Sequence, residues 1–138
     1  MRSLIKHLYI HLLLIITFSS FSISENDPNL INSSILRRST YSGDGTFYAV
    51  GLGACGYVNN DGQMVAALPA EQFDHLTKKR ACGSTAVVHR GSRRIVVRIV
   101  DRCAGCKVGD IDLSPDAFSG LAEPVEGRVH VTYSLKTR

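Results

Sequence analysis

Residues 99–118 read IVDRCAGCKVGDIDLSPDAF, and this stretch carries the features that decide the fold. Two cysteines lie three positions apart, one aspartate precedes them, and two more aspartates follow before a Ser-Pro pair. A C-x-x-C pair occurs in thiol redox centres, in half of a metal site and in structural disulfides. The compartment of the protein helps to choose among these three, because disulfides persist in oxidising compartments.

The amino terminus has the pattern of a secretory signal peptide. Arg2 and Lys6 form a basic start, residues 8–18 form an apolar run, and small residues follow. The run is shorter than the ~20 residues that a membrane-spanning helix needs. We therefore expect a secreted, extracellular protein with a cleaved signal peptide at 1–24 and no membrane association after cleavage.

Two further segments follow the predicted signal peptide. Residues 25–38 are polar, lack a clear period and end on the dibasic pair Arg37–Arg38, so they are interpreted as a pro-segment or a disordered arm. Residues 39–138 form one predicted domain of ordinary size. This domain has 12 Lys/Arg and 10 Asp/Glu, a net charge of +2, with few aromatic residues. Such a balance does not favour binding to nucleic acid.

All four cysteines lie in this domain: Cys55, Cys82, Cys103 and Cys106. An even number of cysteines in a secreted chain favours disulfides over zinc binding or thiol redox chemistry. Spacing does not choose among the three possible pairings, and our working hypothesis is Cys55–Cys82 with Cys103–Cys106. The first would stabilise the fold by about 3.5 kcal/mol, and the second by about 2 kcal/mol at most, because its loop is very short.

Most of the domain is predicted to be β-strand. Strands are expected at 45–52, 84–90, 93–101 and 127–134, and a Gly91–Ser92 turn joins the middle two as a hairpin. The strand at 93–101 has apolar residues on both faces, interrupted only by Arg98 on one of them. We therefore expect both of its faces to be largely buried, as in a small barrel.

Two short helices are expected between the strands. One covers 68–74, with Pro69 in its first turn, and the other covers 114–118, with Ser114 as N-cap and Pro115 as first helical residue. Many short strands, few helices and frequent glycine turns predict a closed all-β barrel with small helical insertions.

Three motifs occur in a fixed order: GACGY at 53–57, VDRCAGC at 100–106 and IDLSPDAF at 111–118. This set resembles the double-psi β-barrel superfamily, which includes barwin-like proteins, expansin N-terminal domains and RlpA-like proteins. The resemblance covers residues 45–135 and implies a six-stranded double-psi β-barrel with short helical insertions, stapled by disulfides. The small secreted single-domain members, bacterial papain inhibitors among them, are similar in the GLGACG stretch at 51–56.

The resemblance also implies a set of substrate-binding residues. In expansins and the related family 45 endoglucanases, the aspartate that matches Asp112 lies in the substrate groove and acts as, or descends from, the general acid. Asp101 matches a second groove carboxylate. Thr46 and Tyr48 match polar or aromatic groove positions near the first strand.

Both aspartates also have a structural interpretation. Asp112 could accept backbone N–H bonds at a strand-to-helix turn, and Asp101 could pair with Arg98 or Arg102. Together with Asp110 they do not form the regular D-x-D-x-D-G loop of calcium sites. We expect neither a metal ion nor a cofactor.

Catalysis is not expected from these residues. Glycoside hydrolysis generally needs two carboxyl groups, and the positions nearest to the second carboxylate of the hydrolytic relatives are Ala49 and Val50. RlpA-type lytic transglycosylases use a histidine after the first strand, whereas residues 65–69 read VAALP. The histidines elsewhere in the domain are interpreted as ordinary surface or strand residues: His75, His89 and His130.

Two classes of function remain open. The one we favour is an expansin- or barwin-like protein that binds or loosens cell-wall polysaccharide, without hydrolysis, through a groove containing Asp101 and Asp112. Against it, the chain has no tryptophan and ends at Arg138, without the second domain of true expansins. The alternative is a protein-binding module, such as an inhibitor of papain-type cysteine proteases, that presents the loops around Cys55 and Cys103–Cys106. Either would act as a monomer.

Overall fold

The computed structural model describes residues 39–137. The predicted signal peptide at 1–24, the predicted arm at 25–38 and Arg138 lie outside the described residues. None of the helices in the described part of the chain is long and apolar enough to cross a bilayer.

Six strands close into a barrel in the order β1-β5-β2-β4-β3-β6. Their bounds are β1 Ser39–Phe47, β2 Val65–Pro69, β3 Thr85–Arg90, β4 Arg93–Cys103, β5 Ile111–Leu113 and β6 Val129–Lys136. Strand β1 pairs parallel with β5 and antiparallel with β6, and β2 pairs parallel with β4. Because the parallel pairs join strands distant in sequence, crossover connections rather than hairpins alone build the barrel. The expected six-stranded all-β barrel is confirmed.

The β3–β4 hairpin forms where the sequence predicts it, with Arg90 opposite Arg93 across the turn. In β4 the inward face is buried, but on the other face Val96 is 41% exposed and Arg98 is exposed. The expectation that both faces are largely buried is therefore wrong. Only one face of a barrel strand points inside, and Val100 on the outer face is buried because the loop around Cys55 covers it, with the Cys55 N–H donating to the Val100 carbonyl.

The predicted strand at 45–52 is misplaced, since β1 covers Ser39–Phe47. Apart from Tyr41, residues 39–45 are small or polar, so they lack the alternating hydrophobic signal of a strand. They form part of strand β1 because each pairs with a residue of β6, from Ser39 opposite Leu135 to Gly45 opposite Val129. Beyond Phe47 the chain leaves the barrel and enters a long loop that ends at Val65.

The first predicted helix also begins later than expected. Leu68 and Pro69 belong to β2, whose five residues are all buried between β4 and β5. Helix α1 covers Ala70–Leu76 with Pro69 at its N-cap, and α2 covers Lys78–Ala81. Pairing with Arg102 of β4 holds Leu68 in the strand despite the helical pattern that follows it.

The second predicted helix is confirmed as α3, Pro115–Ser119. The Ser114 side chain accepts a hydrogen bond from the Ala117 N–H, and its own hydroxyl donates to the Gln63 carbonyl. Pro115 is the first helical residue, where its missing N–H costs nothing. A 3₁₀ turn at Pro124–Glu126 precedes β6.

Two disulfides close the structure, in the pairing taken as the working hypothesis. Cys55 bonds to Cys82 across 27 positions, and Cys103 bonds to Cys106 across three. Cys55 and Cys82 both pack against the hydrophobic core, so the first disulfide fastens the loop after β1 to the barrel. The second lies in the connection from β4 to β5 and shapes that loop alone.

Two glycines are required where β1 and the β4–β5 loop pass each other at close distance. A side chain at Gly43 in β1 would collide with the backbone of Gly109, and a side chain at Gly109 would collide with the carbonyl of Ser42. Gly109 also has φ +97°, which side-chain-bearing residues rarely adopt. This close approach brings the β4–β5 loop against β1 just before β5 starts.

Candidate binding site around Asp101 and Asp112

The parallel pairing of β1 with β5 places Thr46 opposite Asp112. Ile111 and Leu113 are buried on the inward face of β5, so Asp112 between them points to the outside of the barrel. The Thr46 hydroxyl donates a hydrogen bond of 2.6 Å to Asp112 Oδ1. Asp112 is therefore held by a neighbouring side chain, and not by backbone N–H groups of the strand-to-helix turn.

Several groups act on the charge of Asp112. Partial burial raises the pKa of its carboxyl above the ordinary value, and the nearby negative charge of Asp101 adds to this effect. The hydrogen bond from Thr46 and the positive charge of Arg128 act in the opposite direction. Burial prevails, so this carboxyl takes up a proton more readily than an exposed aspartate does.

Sequence reasoning missed Arg128. Its guanidinium lies 3.1 Å from Asp44, and its charge reaches Asp112. The residue precedes β6, and only the pairing of β1 with β6 brings it to this end of the barrel. No local motif marks it, so the signal that finds it is the register of the sheet.

Asp101 lies in β4, and its carboxylate accepts hydrogen bonds from backbone N–H groups. Its Oδ1 accepts two hydrogen bonds of 2.7 Å, from the N–H groups of Ala54 and Arg102. The expected pairing of Asp101 with an arginine side chain is wrong. Arg102 instead makes a bidentate ion pair with Asp74, in which Nε and Nη2 lie 3.0 and 2.7 Å from the two carboxylate oxygens. Arg98 instead lies over the ring of Tyr57, 5.4 Å from its centroid.

Tyr48 connects the two aspartates. Its hydroxyl oxygen is buried and lies close to the Asp101 carboxylate, but it makes no hydrogen bond of good geometry within residues 39–137. It lies close enough to both carboxylates for their negative charges, together with burial as the largest cause, to raise the pKa of Tyr48. The phenol therefore keeps its proton at neutral pH. The four predicted residues Thr46, Tyr48, Asp101 and Asp112, hereafter the aspartate cluster, thus lie together.

The Cys103–Cys106 disulfide borders this cluster. Its two sulfur atoms and a carboxylate oxygen of Asp112 lie within 4.8 Å of one another. Such a trio could hold a metal ion only with both sulfurs as thiolates, and here they are bonded to each other. The arrangement is thus a disulfide packed beside a half-buried carboxylate.

Asp110 and the three histidines do not belong to the aspartate cluster. The Asp110 carboxylate accepts hydrogen bonds of 2.9 Å from the N–H groups of Asp44 and Lys107, so it closes the β4–β5 loop onto β1. His75, His89 and His130 are exposed, as expected for ordinary surface histidines.

Sequence reasoning also did not single out the carboxylate of Asp61. It lies in the loop between β1 and β2, and its Oδ1 accepts a hydrogen bond of 2.8 Å from the Val50 N–H. It therefore braces the segment that directly follows Tyr48. The positions expected to lack a catalytic base, Ala49 and Val50, are held in place by this bond.

These features define a double-psi β-barrel protein of the RlpA- and expansin-like superfamily, which confirms the resemblance seen in the sequence. Residues 36–133 match the family model described as lytic transglycolase, and the chain belongs to that family.

Two relatives are similar over much of the chain. The "Allergen Asp f 7 homolog" of Arthroderma benhamiae is 30% identical over 104 residues, which cover 64% of this chain and 36% of that protein. An "EG45-like domain containing protein" of Citrus jambhiri is 30% identical over 114 residues, which cover 72% of this chain and 86% of that protein. The chain thus spans about a third of the first relative and most of the second.

Solved structures of two kinds share the fold. The Streptomyces papain inhibitor superimposes with a TM-score of 0.63 and 29% identity, covering 70% of this chain and 94% of the inhibitor. A mutant of the Clavibacter michiganensis expansin in complex with cellohexaose superimposes with a TM-score of 0.61 and 26% identity, covering 72% of this chain and 50% of the expansin.

Proposed function

We propose that this chain is a secreted protein that binds cell-wall polysaccharide without hydrolysing it, through the aspartate cluster. The observation that carries the proposal is the convergence of Thr46, Tyr48, Asp101 and Asp112, from three separate parts of the chain, on one partly exposed surface. The expansin that shares the fold is described with bound cellohexaose, which supports a glucan-type ligand.

The chemistry of the cluster suits binding better than bond cleavage. Asp112, with its raised pKa, resembles a general acid, but hydrolysis generally needs a second carboxyl group as base or nucleophile. Asp101 already holds two backbone N–H groups through one oxygen, and Ala49 and Val50 carry no acidic group. We therefore propose that Asp112 accepts hydrogen bonds from sugar hydroxyls, and that the family name does not extend to lytic activity in this chain.

The test is retention on insoluble cellulose, chitin and peptidoglycan, compared between the wild type and Asp112→Asn. We expect retention on at least one glycan, weakened about tenfold by Asp112→Asn, since a hydrogen bond to a charged group contributes about 1.5–3 kcal/mol. Asp116→Asn removes an exposed carboxylate of α3 and is the matched control, expected to bind like the wild type. Equal retention of wild type and Asp112→Asn on every glycan would refute the proposal.

A second candidate function is inhibition of a papain-type protease. It is favoured by the exposed apolar side chains of the loop that Cys55 anchors: Leu52 is 74% exposed and Val58 is 79% exposed, and the two pair across the loop. Apolar side chains presented together on a disulfide-anchored loop are typical of protein-binding surfaces. The papain inhibitor that shares the fold is matched over 94% of its length.

The two candidates differ in which substitution abolishes activity. If the protein is an inhibitor, the double variant Leu52→Asp/Val58→Asp should lose papain inhibition, while Asp112→Asn should retain it. If the protein binds polysaccharide, the reverse pattern is expected on glycan. Papain inhibition that survives the loop variant would exclude the inhibitor role of this loop.

A further inference from the structure

Strands β4, β3 and β6 form the side of the barrel that faces away from Asp112. In the closed order of the six strands, β3 lies opposite β5, the strand that contains Asp112. Buried and exposed residues alternate along β3, β6 and the first half of β4, so every second side chain points outward. These outward residues include Arg94, Arg98 and Lys136, and no aspartate or glutamate is among them.

The register of the sheet brings Arg98 and Lys136 together. Thr85 of β3 pairs with Arg98 of β4 on one side and with Lys136 of β6 on the other. Neighbouring strands are about 4.8 Å apart, so the two cationic residues are about 10 Å apart across Thr85. Arg80 of α2 adds a third cation, because its guanidinium donates a hydrogen bond of 3.5 Å to the hydroxyl of Thr137, the residue after Lys136.

Arg94 extends this positive surface along β4. It lies four residues before Arg98 on the same face of the strand, at a distance of about 13 Å. Arg80, Arg94, Arg98 and Lys136, hereafter the basic face, are all exposed.

The protein does not neutralise the basic face. The three ion pairs found within residues 39–137 use other arginines, namely Arg90, Arg102 and Arg128. The small net charge of the domain therefore conceals a separation, with Asp112 on one side of the barrel and four cations without an ion pair on the other.

Arg98 is held in place for binding. Its guanidinium lies 5.4 Å from the centroid of the Tyr57 ring. This contact uses the face of the guanidinium plane, so the N–H groups at its edge remain available for a carboxylate. Less freedom is then lost when a ligand binds.

The spacing of the cations favours an extended polyanion. One small anion does not reach cations about 10–13 Å apart, whereas a chain with repeated carboxylates contacts several of them at once. The hydroxyl of Thr85 lies between two of the cations and can form a hydrogen bond with a sugar. The outward side of these strands has no aromatic side chain on which a nucleic-acid base would stack. Its apolar residues are only Val87 and Val96, which is little for insertion into a lipid surface.

We propose that the basic face binds a polyuronate, an acidic polysaccharide with a carboxylate on each sugar. The proposal rests on the cell-wall role proposed above and adds a second class of ligand at a separate surface. Asp101 and Asp112 repel a polyuronate. The two surfaces therefore select different glycans, uncharged at the aspartate cluster and acidic at the basic face.

The test is the binding of polygalacturonate, measured by isothermal titration calorimetry. The matched ligand is its full methyl ester, which has the same backbone without the charges. The wild type should bind the acid at least about tenfold more tightly than the ester. Its affinity for the acid should fall about tenfold or more between about 50 mM and about 200 mM salt, because salt screens the attraction and weakens counterion release.

Two lysines provide a matched pair of variants. Lys136→Gln should weaken binding about two- to fivefold. Lys107→Gln is the same substitution at an exposed lysine of the β4–β5 loop, outside the basic face, and should bind like the wild type. The triple variant Arg94→Gln/Arg98→Gln/Lys136→Gln should weaken binding at least about tenfold, with circular dichroism to check that it is folded.

The two proposals can fail separately, because binding of polygalacturonate and retention on cellulose and chitin are measured apart. Equal affinity of the wild type for the acid and its ester would overturn the proposal without the use of any variant. So would unchanged binding in the folded triple variant, or equal losses from Lys136→Gln and Lys107→Gln. Tighter binding of double-stranded DNA or of phosphatidylserine vesicles than of polygalacturonate would assign the basic face to another class of polyanion and exclude this one.

Discussion

Asp101 and Asp112 belong to one cluster, but the protein holds them in different ways. Asp101 accepts two backbone N–H bonds and so fastens the loop at Ala54 to β4. In the described part of the chain Asp112 has one side-chain partner, Thr46, and burial raises the pKa of its carboxyl. A carboxylate that satisfies backbone donors stabilises the scaffold, whereas a half-buried carboxylate with one partner retains acceptor positions for a ligand. The comparison supports a structural role for Asp101 and the binding role that we propose for Asp112.

The two disulfides differ in the same way, since one supports the scaffold and the other lies beside Asp112. Cys55–Cys82 fastens the loop that donates to Asp101, and both of its cysteines pack against the core. Cys103–Cys106 closes a loop of a few residues beside Asp112. The first region therefore contributes to global stability, and the second shapes the surroundings of one carboxylate.

The largest effect is expected from the disulfides. Replacing Cys55 and Cys82 together by alanine should lower the free energy of unfolding by about 3.5 kcal/mol, because a loop of this length then becomes unconstrained in the unfolded chain. Replacing Cys103 and Cys106 should lower it by about 2 kcal/mol at most. Guanidinium unfolding of both variants and the wild type measures the difference. A greater loss from the second pair would contradict the division into two regions.

How far the sequence predicts this arrangement depends on the distance over which each residue finds its partners. Asp101, Asp112 and the Cys103–Cys106 pair all lie within residues 99–118, so one short stretch of sequence contains them, although the resemblance was needed to assign the two aspartates to a site. Thr46 and Tyr48 could be assigned only through the resemblance to known barrels, because their partners are on β4 and β5.

Other features could not be predicted because they exist only once distant strands pair. Arg128 reaches the cluster through the register of β1 with β6. Residues 39–45 are a strand for the same reason, although their side chains, small or polar apart from Tyr41, predict none. Arg98 and Lys136 come together only because β3 pairs with both β4 and β6. In each case the deciding interaction spans dozens of residues, beyond the reach of periodicity or spacing.

A smaller effect should separate the two aspartates themselves. Asp101→Asn weakens two charge-assisted bonds to backbone N–H groups, and we expect it to lower the free energy of unfolding by about 1–2 kcal/mol at pH 7. Asp112→Asn removes a partly desolvated charge while keeping an acceptor for Thr46, so it should stay within about 0.5 kcal/mol of the wild type or exceed it. Urea unfolding of the two variants, side by side, checks this. Equal losses would remove the distinction between them.

The wild type and Asp112→Asn should differ in how their stability depends on pH, and the sign of the difference follows from the pKa of Asp112. The pKa of Asp112 is higher in the folded protein than its ordinary value of 3.8. Its contribution to stability is fully present below about pH 3.8 and is lost as the pH rises through the folded pKa. Stability of the wild type relative to Asp112→Asn should therefore fall as the pH rises above about 3.8. Asp74 and Glu126, whose pKa values are lowered by arginine partners, act in the opposite direction, but equally in both proteins.

An effect confined to one carboxylate is expected from Thr46→Val, which removes the hydrogen bond from the Thr46 hydroxyl to Asp112. The loss of this donor should raise the pKa of Asp112 further, because the Thr46 hydroxyl stabilises the ionised form. The free energy of unfolding should fall by about 1 kcal/mol. A ¹³C titration of the Asp112 carboxyl carbon measures the first effect, and urea unfolding measures the second. Thr40→Val, at an exposed position of the same strand, should change neither. If Thr46→Val left the titration of Asp112 unchanged, the hydroxyl would not be what holds this carboxylate, and Asp112 would lose the side-chain partner that distinguishes it from Asp101.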